Sequence, residues 1–155
     1  PDALPILDRG IILPTGRLAA GLKEFPLAGP VKLRQCDIRE LQLAKAAISA
    51  GIHLLIEQWG IGPDDLAALY IAGAFGNYVN LASAQRIGLI DFGADKVQAV
   101  GNTALLGAKM ALFADGDAAE QYASIRERVQ HVALASDAKF MDAYVEAMSF
   151  PDAAG

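Results

Sequence analysis

Thiol ligands are almost absent from this sequence, which has a single cysteine, Cys36, among 155 residues. One cysteine excludes an intrachain disulfide, and a bound iron–sulfur cluster generally takes four thiolates. The two histidines, His53 and His131, have no neighbouring ligand pattern of the kind that binds zinc. We therefore expect no metal ligands in this chain. Because Cys36 has no histidine near it in sequence, we also expect no catalytic nucleophile.

Clustered basic residues and long apolar runs are missing as well. The 13 lysines and arginines are scattered and the net charge is −5, whereas phosphate neutralisation needs clustered basic side chains, so we expect no nucleic-acid partner. Charged or amide residues interrupt every run before the roughly 18 apolar residues of a membrane-spanning helix. The first residues also lack the basic head and apolar run of a signal peptide. These absences predict a cytoplasmic protein without a membrane segment.

The composition is that of a globular domain. It is 54% hydrophobic and 20% charged, and 155 residues are enough for one well-buried core. Prolines and glycines punctuate short apolar runs over residues 1–35, which predicts a strand-rich segment of the same domain as residues 36–155. Further strands are predicted at 68–73, 97–100 and 129–134, and further helices at 81–87, 102–113, 117–128 and 136–148. This alternation indicates a mixed sheet with a parallel part and helices packed against it.

A long helix is predicted to begin at 37-DIRE-40, which has the spacing of a capping box with Asp37 as N-cap. Its apolar positions recur every three or four residues and are expected to face the core. They are Ile38, Leu41, Ala44, Ile48, Ile52, Leu55 and Trp59. A polar stripe lies beside them and is interpreted mainly as a solvated face. It comprises Arg39, Gln42, Lys45, Ser49 and His53.

The segment 69-LYIAGAFGNYVN-80 joins a predicted strand to a glycine-containing turn. It does not fit the dinucleotide fingerprint, and no Walker A sequence occurs in the chain, which makes a small independent oxidoreductase a weak alternative. A turn between a strand and a helix can nevertheless present backbone N–H groups to an anion or a ribose. Gly73 and Gly76 could equally serve only a tight turn. Both interpretations remain open from the motif alone.

Several segments together resemble one known family, the C-terminal domain of reductive activators of corrinoid proteins. They are QCDIRELQLAKAAISAGI (35–52), LYIAGAFGNYVN (69–80), IGLI (87–90), VGNTALLGAKMAL (100–112) and AMSFP (147–151). The resemblance implies an actin-like, ribonuclease H-like half-domain of the superfamily that joins actin, the sugar and acetate kinases and the heat-shock chaperone ATPases. It also implies that ATP hydrolysis in a longer, ferredoxin-containing protein drives reduction of an inactive cob(II)amide to cob(I)amide.

The resemblance further implies where a nucleotide would be bound. The implied contacts lie in the glycine turn, at a later glycine, and on the long helix near the base. They are Gly73, Ala74, Phe75, Gly76 and Asn77, then Gly101 and Asn102, then Glu40 and Lys45. Ala74 departs from the family pattern, which has a second glycine at that position.

Other parts of the family pattern have no counterpart in the chain. The first phosphate motif is absent, so the resemblance implies that ATP and its magnesium are shared with another half and that the iron–sulfur cluster lies elsewhere in the longer protein. Implied partners are a corrinoid protein, the other domains and, in a homodimer, a second copy. We therefore expect the domain by itself to be inactive. The alternative is a non-catalytic dimerisation or corrinoid-protein docking module with a degenerate nucleotide pocket.

Overall fold

The computed structural model describes residues 6–7, 9–73 and 78–152. Four predicted site residues, Ala74, Phe75, Gly76 and Asn77, lie outside the described residues. The strands are β1 (Glu24–Ala28), β2 (Val31–Arg34), β3 (Leu69–Ala72) and β4 (Val97–Gly101). The α-helices are α1 (Gln35–Trp59), α2 (Leu81–Arg86), α3 (Thr103–Leu112), α4 (Gly116–Arg128) and α5 (Ala138–Glu146), with short 3-10 turns at Pro63–Asp65 and Leu134–Ser136.

The strands form two small sheets. β1 and β2 are an antiparallel hairpin in which Glu24 lies opposite Arg34, as the strand-rich composition of the first 35 residues predicts. β3 and β4 are parallel, with Leu69 opposite Val97, and α2 lies between them in sequence. The parallel part of the predicted sheet is therefore confirmed for these two strands.

The predicted strand at 129–134 is wrong. The segment has no ladder partner among the described strands, it leads into the 3-10 turn at Leu134–Ser136, and Val129 is 70% exposed. A segment forms a strand only when a neighbouring strand pairs with its backbone N–H and C=O groups. The apolar pattern of residues 129–134 does not show whether such a neighbour exists. His131 is accordingly exposed rather than part of a sheet.

The long helix begins two residues before the predicted N-cap. α1 starts at Gln35, and the carboxylate of Asp37, in the third helical position, accepts a hydrogen bond of 2.8 Å from the backbone N–H of Arg34. Asp37 therefore occupies the N3 position of the helix and bonds back to the N-cap residue, Arg34. The prediction that Asp37 is itself the N-cap is wrong. The helix ends at Gly60, which has a left-handed φ of +76°.

Ile38 is buried in α1 as predicted, but most of the predicted apolar face is exposed. Leu41, Ile48, Leu55 and Trp59 are 39–75% exposed. The buried residues are Ile38, Gln42, Lys45, Ala46, Ala50, Gly51, Leu54 and Ile56. Many of these are small, and α5 packs against α1, so that close approach to α5 decides which face turns inward. The same observation corrects the solvated interpretation of Gln42 and Lys45.

Among the described residues, the core contains two apolar clusters. One, formed by Leu7, Ile12, Leu18, Ile38 and Phe150, joins the N-terminal loops and the chain end to the start of α1. The other, formed by Ile56, Ala84, Ile90, Phe92 and Val97, packs the end of α1 and α2 against the parallel sheet. Neither α3 nor α4 contributes a buried residue. Across the part of the chain that the structure describes, no helix is long and apolar enough to cross a membrane.

Candidate functional site

The carboxyl ends of the two parallel strands meet at a pair of glycines. The backbone N–H of Gly73 donates a hydrogen bond of 2.7 Å to the carbonyl oxygen of Gly101. Gly73 has a φ of +96° and Gly101 a φ of +68°, a region that side chains with a Cβ rarely adopt. Two left-handed glycines therefore lie side by side where β3 and β4 end.

Gly73 is the point at which the chain leaves the parallel sheet. The register between the strands shifts after Ile71, so that Ala72 lies opposite Gly101. Among the described residues other than its chain neighbours, no atom lies within 4 Å of a Cβ added to Gly73. In open parallel sheets, ligands bind in the crevice outside the carboxyl ends of the strands. This edge, comprising Gly73, Gly101 and Asn102, is called the glycine edge below.

A helix begins at the same edge. Asn102 is the N-cap of α3, and its side-chain oxygen accepts a hydrogen bond of 3.0 Å from the backbone N–H of Leu105. The cap satisfies one of the free N–H groups in the first turn, and the remaining ones carry the positive end of the helix dipole. The structure thus brings together three of the predicted site residues, Gly73, Gly101 and Asn102.

Lys45, another predicted contact, lies inside the fold. It is 1% exposed, and its Nζ donates hydrogen bonds of 2.5 Å to the carbonyl oxygen of Ala147 and 2.7 Å to that of Ser149. The ammonium also lies 5.2 Å from the centre of the Phe150 ring. Burial lowers the pKa of Lys45 from its ordinary value. A nucleotide could reach this amino group only by displacing the carbonyl oxygens of Ala147 and Ser149.

Glu40 and Gln42 lie on the same helix as Lys45 but differ in burial. Glu40 is exposed on α1 and stays a predicted ligand contact. Gln42 is buried, and its Nε2 donates a hydrogen bond of 2.9 Å to the carbonyl oxygen of Met148. Gln42 and Lys45, three residues apart on one helix face, therefore hold the chain end together. Their spacing was visible in the sequence, but their acceptors are backbone carbonyls that no side-chain pattern reveals.

A polar cleft between α1 and α5 was not predicted. His53 Nε2 lies 3.1 Å from Asp91 Oδ2, and the imidazole stacks on Phe92 with ring centres 6.0 Å apart. The cleft, of about 340 Å³, is also lined by Ser49 and Glu146. The four polar residues come from three separate segments, so nothing in the local sequence indicates that they meet.

The ligand chemistry of the described residues does not suit an iron–sulfur cluster. Cys36 is exposed at the start of α1, with its Sγ 3.8 Å from a carboxylate oxygen of Asp37. Over residues 6–7, 9–73 and 78–152, no three His, Cys, Asp or Glu side chains are grouped so that they could hold a metal ion. A cluster needs more thiolates than the one that this sequence contains.

The mixed α/β fold is that of an actin-like superfamily domain. A solved structure of a "reductive activator for corrinoid,iron-sulfur protein" superimposes with a TM-score of 0.81 at 30% identity, covering 96% of this chain and 27% of that one. A model of the protein family described as "C-terminal domain of RACo the ASKHA domain" matches residues 19–154. The chain belongs to this family, so the resemblance and the fold class predicted from the sequence are confirmed.

Two characterised relatives are similar to the chain over most of its length. The corrinoid activation enzyme RamQ of Eubacterium limosum is 40% identical over 130 residues, which are 83% of this chain and 22% of RamQ. The [Co(II) methylated amine-specific corrinoid protein] reductase of Methanosarcina barkeri is 29% identical over 161 residues, or 96% of this chain and 30% of the reductase. The chain thus spans less than a third of the length of either relative.

Proposed function

We propose that the chain is the C-terminal nucleotide-binding domain of an ATP-dependent, iron–sulfur-containing activator that reduces the cob(II)amide of a corrinoid protein to cob(I)amide. The support is the family membership together with relatives whose names give corrinoid activation and corrinoid-protein reduction as their activities. The corrinoid protein is the proposed partner, and the cytoplasm is the proposed location. The activity belongs to the longer polypeptide.

The observation that carries the nucleotide-binding part is the glycine edge. Gly73 and Gly101 end the two parallel strands side by side in left-handed conformations, and Asn102 starts α3 beside them. The N–H groups left free in the first turn of α3 and the positive end of its helix dipole both favour the polar ribose and phosphate groups of a nucleotide. Ala74, Phe75, Gly76 and Asn77 are proposed to complete the contact from the adjoining turn, and Glu40 to approach the base. The predicted contact of Lys45 with the base is not proposed again, because its amino group is buried and bonded to Ala147 and Ser149.

The chain's own residues would bind and orient the adenosine side of ATP rather than perform chemistry. ATP, when bound with magnesium shared by the other half, would supply the free energy of hydrolysis. Domain closure around a ligand is a common way to couple such energy to a change in orientation between halves. The electron would come from a cluster held outside these 155 residues, since Cys36 is their only cysteine.

The test is a titration of the 155-residue chain with ATP and with ADP. Because the phosphate-holding half is absent, we expect weak binding, with a Kd on the order of 0.1–1 mM, equivalent to about 4–5.5 kcal/mol. Amide NMR shifts should concentrate at Gly73, Gly101 and Asn102. No heat by calorimetry and no shifts at millimolar nucleotide would contradict the proposal and favour a docking module without nucleotide.

A further inference from the structure

The helix that follows the glycine edge is apolar on all sides and exposed. α3 has the sequence TALLGAKMAL, in which Lys109 is the one charged residue, and no α3 residue is buried. The exposed large side chains, with their exposed fractions, are Leu105 (52%), Leu106 (57%), Met110 (57%) and Leu112 (78%), followed by Phe113 (82%) just after the helix.

An apolar surface of this kind is normally covered. A helix that is hydrophobic all round belongs in the interior of a larger fold, because removing each of its apolar faces from water is favourable. Contiguous exposed apolar patches mark interaction surfaces. Yet both core clusters are built from other elements, and none of the described elements packs extensively against α3. By contrast, α5 lies against α1, and its apolar face is partly covered.

The character of the patch favours a permanent cover. Reversible interfaces carry a polar rim and charged groups, whereas permanent ones resemble a domain core cut in two. α3 offers one charge in ten residues and so fits the second kind. A second copy is disfavoured because each copy has a net charge of −5 and would bring like charge to the interface.

The lengths of the relatives indicate which polypeptide covers α3. The chain accounts for 22% and 30% of two relatives and 27% of a similar solved structure, and the family is a C-terminal domain. We propose that α3 packs against the polypeptide that precedes this domain in a longer activator. This inference rests on the proposed function for the existence of that polypeptide, but not on nucleotide binding.

Two methionines provide a matched test. Met110 on α3 is 57% exposed and Met141 on α5 is 61% exposed, so an oxidant should reach both equally in the 155-residue chain. Met oxidation can be followed residue by residue by mass spectrometry after a brief pulse of hydroxyl radicals, because the sulfoxide is stable to the assay. The 155-residue chain and the longer polypeptide would be labelled at equal dose, and the ratio of the Met110 to the Met141 oxidation rate compared.

The proposal predicts a ratio near one in the 155-residue chain and about fivefold lower in the longer polypeptide, because covered side chains are shielded from solvent radicals. An unchanged ratio overturns it. A ratio in the 155-residue chain that is already low and rises on dilution would overturn it in favour of a second copy. A ratio that falls only when corrinoid protein is added would overturn it in favour of that partner.

A pair of substitutions gives an independent readout. In the longer polypeptide, Met110→Lys should lower the midpoint of thermal unfolding, because it buries a charge at the interface. Met141→Lys should leave the midpoint nearly unchanged. Equal effects of the two substitutions would count against the proposal. If the longer polypeptide fails to bind nucleotide but keeps the low ratio of Met110 to Met141 oxidation, only the nucleotide-binding function is contradicted. Failure of that function can thus be distinguished from failure of the packing proposal.

Discussion

Lys45 on α1 donates a hydrogen bond of 2.7 Å from its buried ammonium to the carbonyl oxygen of Ser149, 104 residues later in the chain. Gln42, one helical turn earlier, donates to the carbonyl oxygen of Met148, and the N–H of Phe150 donates to the carbonyl oxygen of Pro14 at 2.8 Å. These bonds join residues 148–150 to α1 and to Pro14. We call this arrangement the end clasp.

Replacing the ammonium should loosen the end clasp. Lys45→Met keeps a similar apolar volume but leaves the carbonyl oxygens of Ala147 and Ser149 without this donor, so we expect the free energy of unfolding to fall by about 1–3 kcal/mol. Urea denaturation at pH 7 measures this. The control is Lys139→Met, which removes an exposed ion pair with Glu57 and should have a much smaller effect. Equal losses in the two variants would contradict a stabilising role for the end clasp.

The same lysine predicts how stability depends on pH. Burial lowers the pKa of Lys45 below the ordinary value of 10.5, so the unfolded state binds more protons between the lowered pKa and 10.5. The contribution of Lys45 to the free energy of unfolding should therefore rise with pH in that window. Subtracting the profile of Lys45→Met from that of the unaltered chain isolates this contribution. A difference that falls as pH rises towards 10.5 would show that the carbonyl contacts outweigh burial.

Gly16 is required by close contact as well as by conformation. Its φ is +77°, and a Cβ built there would lie 2.1 Å from Nε2 of Gln42, which belongs to the end clasp. Gly21 has a similar φ of +87° but open space around it. Both Gly→Ala substitutions incur left-handed strain, but Gly16→Ala should cost about 1–3 kcal/mol more because it also displaces Gln42. Thermal unfolding of the two variants compares them, and equal losses would mean that Gln42 moves aside freely.

The glycine edge was predictable from the sequence because its requirement is local. A strand that must leave the sheet in a left-handed conformation demands glycine; Gly73 directly follows β3, and Gly101 is the last residue of β4. Asn102 was predictable as a cap for the same reason. That the two glycines are hydrogen-bonded to each other follows only from the parallel pairing of β3 with β4, which relates residues 28 positions apart.

The buried face of α1 was not predictable, because periodicity ranks faces by side-chain hydrophobicity alone. The larger aliphatic stripe, which includes Leu41, Ile48 and Leu55, is exposed, while the face with Lys45 and Ala46 turns inward. Small residues on this face allow α5 to approach α1. The backbone carbonyl oxygens of Ala147 and Ser149 accept hydrogen bonds from the buried ammonium. Neither the partner helix nor those acceptors can be read from the helix itself.

Gly73 allows a direct test of the glycine edge. Gly73→Val places a branched side chain at a φ of +96° beside the proposed nucleotide position, with no described atom beyond the chain neighbours within 4 Å, and the strain should cost about 1–3 kcal/mol. Nucleotide binding should fall by at least about tenfold, equivalent to roughly 1.4 kcal/mol. Gly60→Val, at a φ of +76° and also in open space, is the control, with similar strain but unchanged binding. If calorimetry finds the same affinity for both variants, Gly73 serves only the turn.

The last prediction separates what the domain does by itself from what the longer protein does. Cys36 is the only thiol in the sequence, and no counterpart of the family's first phosphate motif occurs in it, so no single substitution here should create a reductase. We expect the 155-residue chain neither to hydrolyse ATP above background nor to reduce cob(II)amide, and the longer polypeptide with a reduced cluster to do both. Phosphate release and the corrinoid absorption spectrum, followed in parallel, measure the two activities. Steady turnover by the 155-residue chain would refute the half-domain interpretation. If the longer polypeptide has an intact cluster but neither hydrolyses ATP nor reduces cob(II)amide, a docking module is favoured, because its nucleotide pocket then serves no ATP hydrolysis.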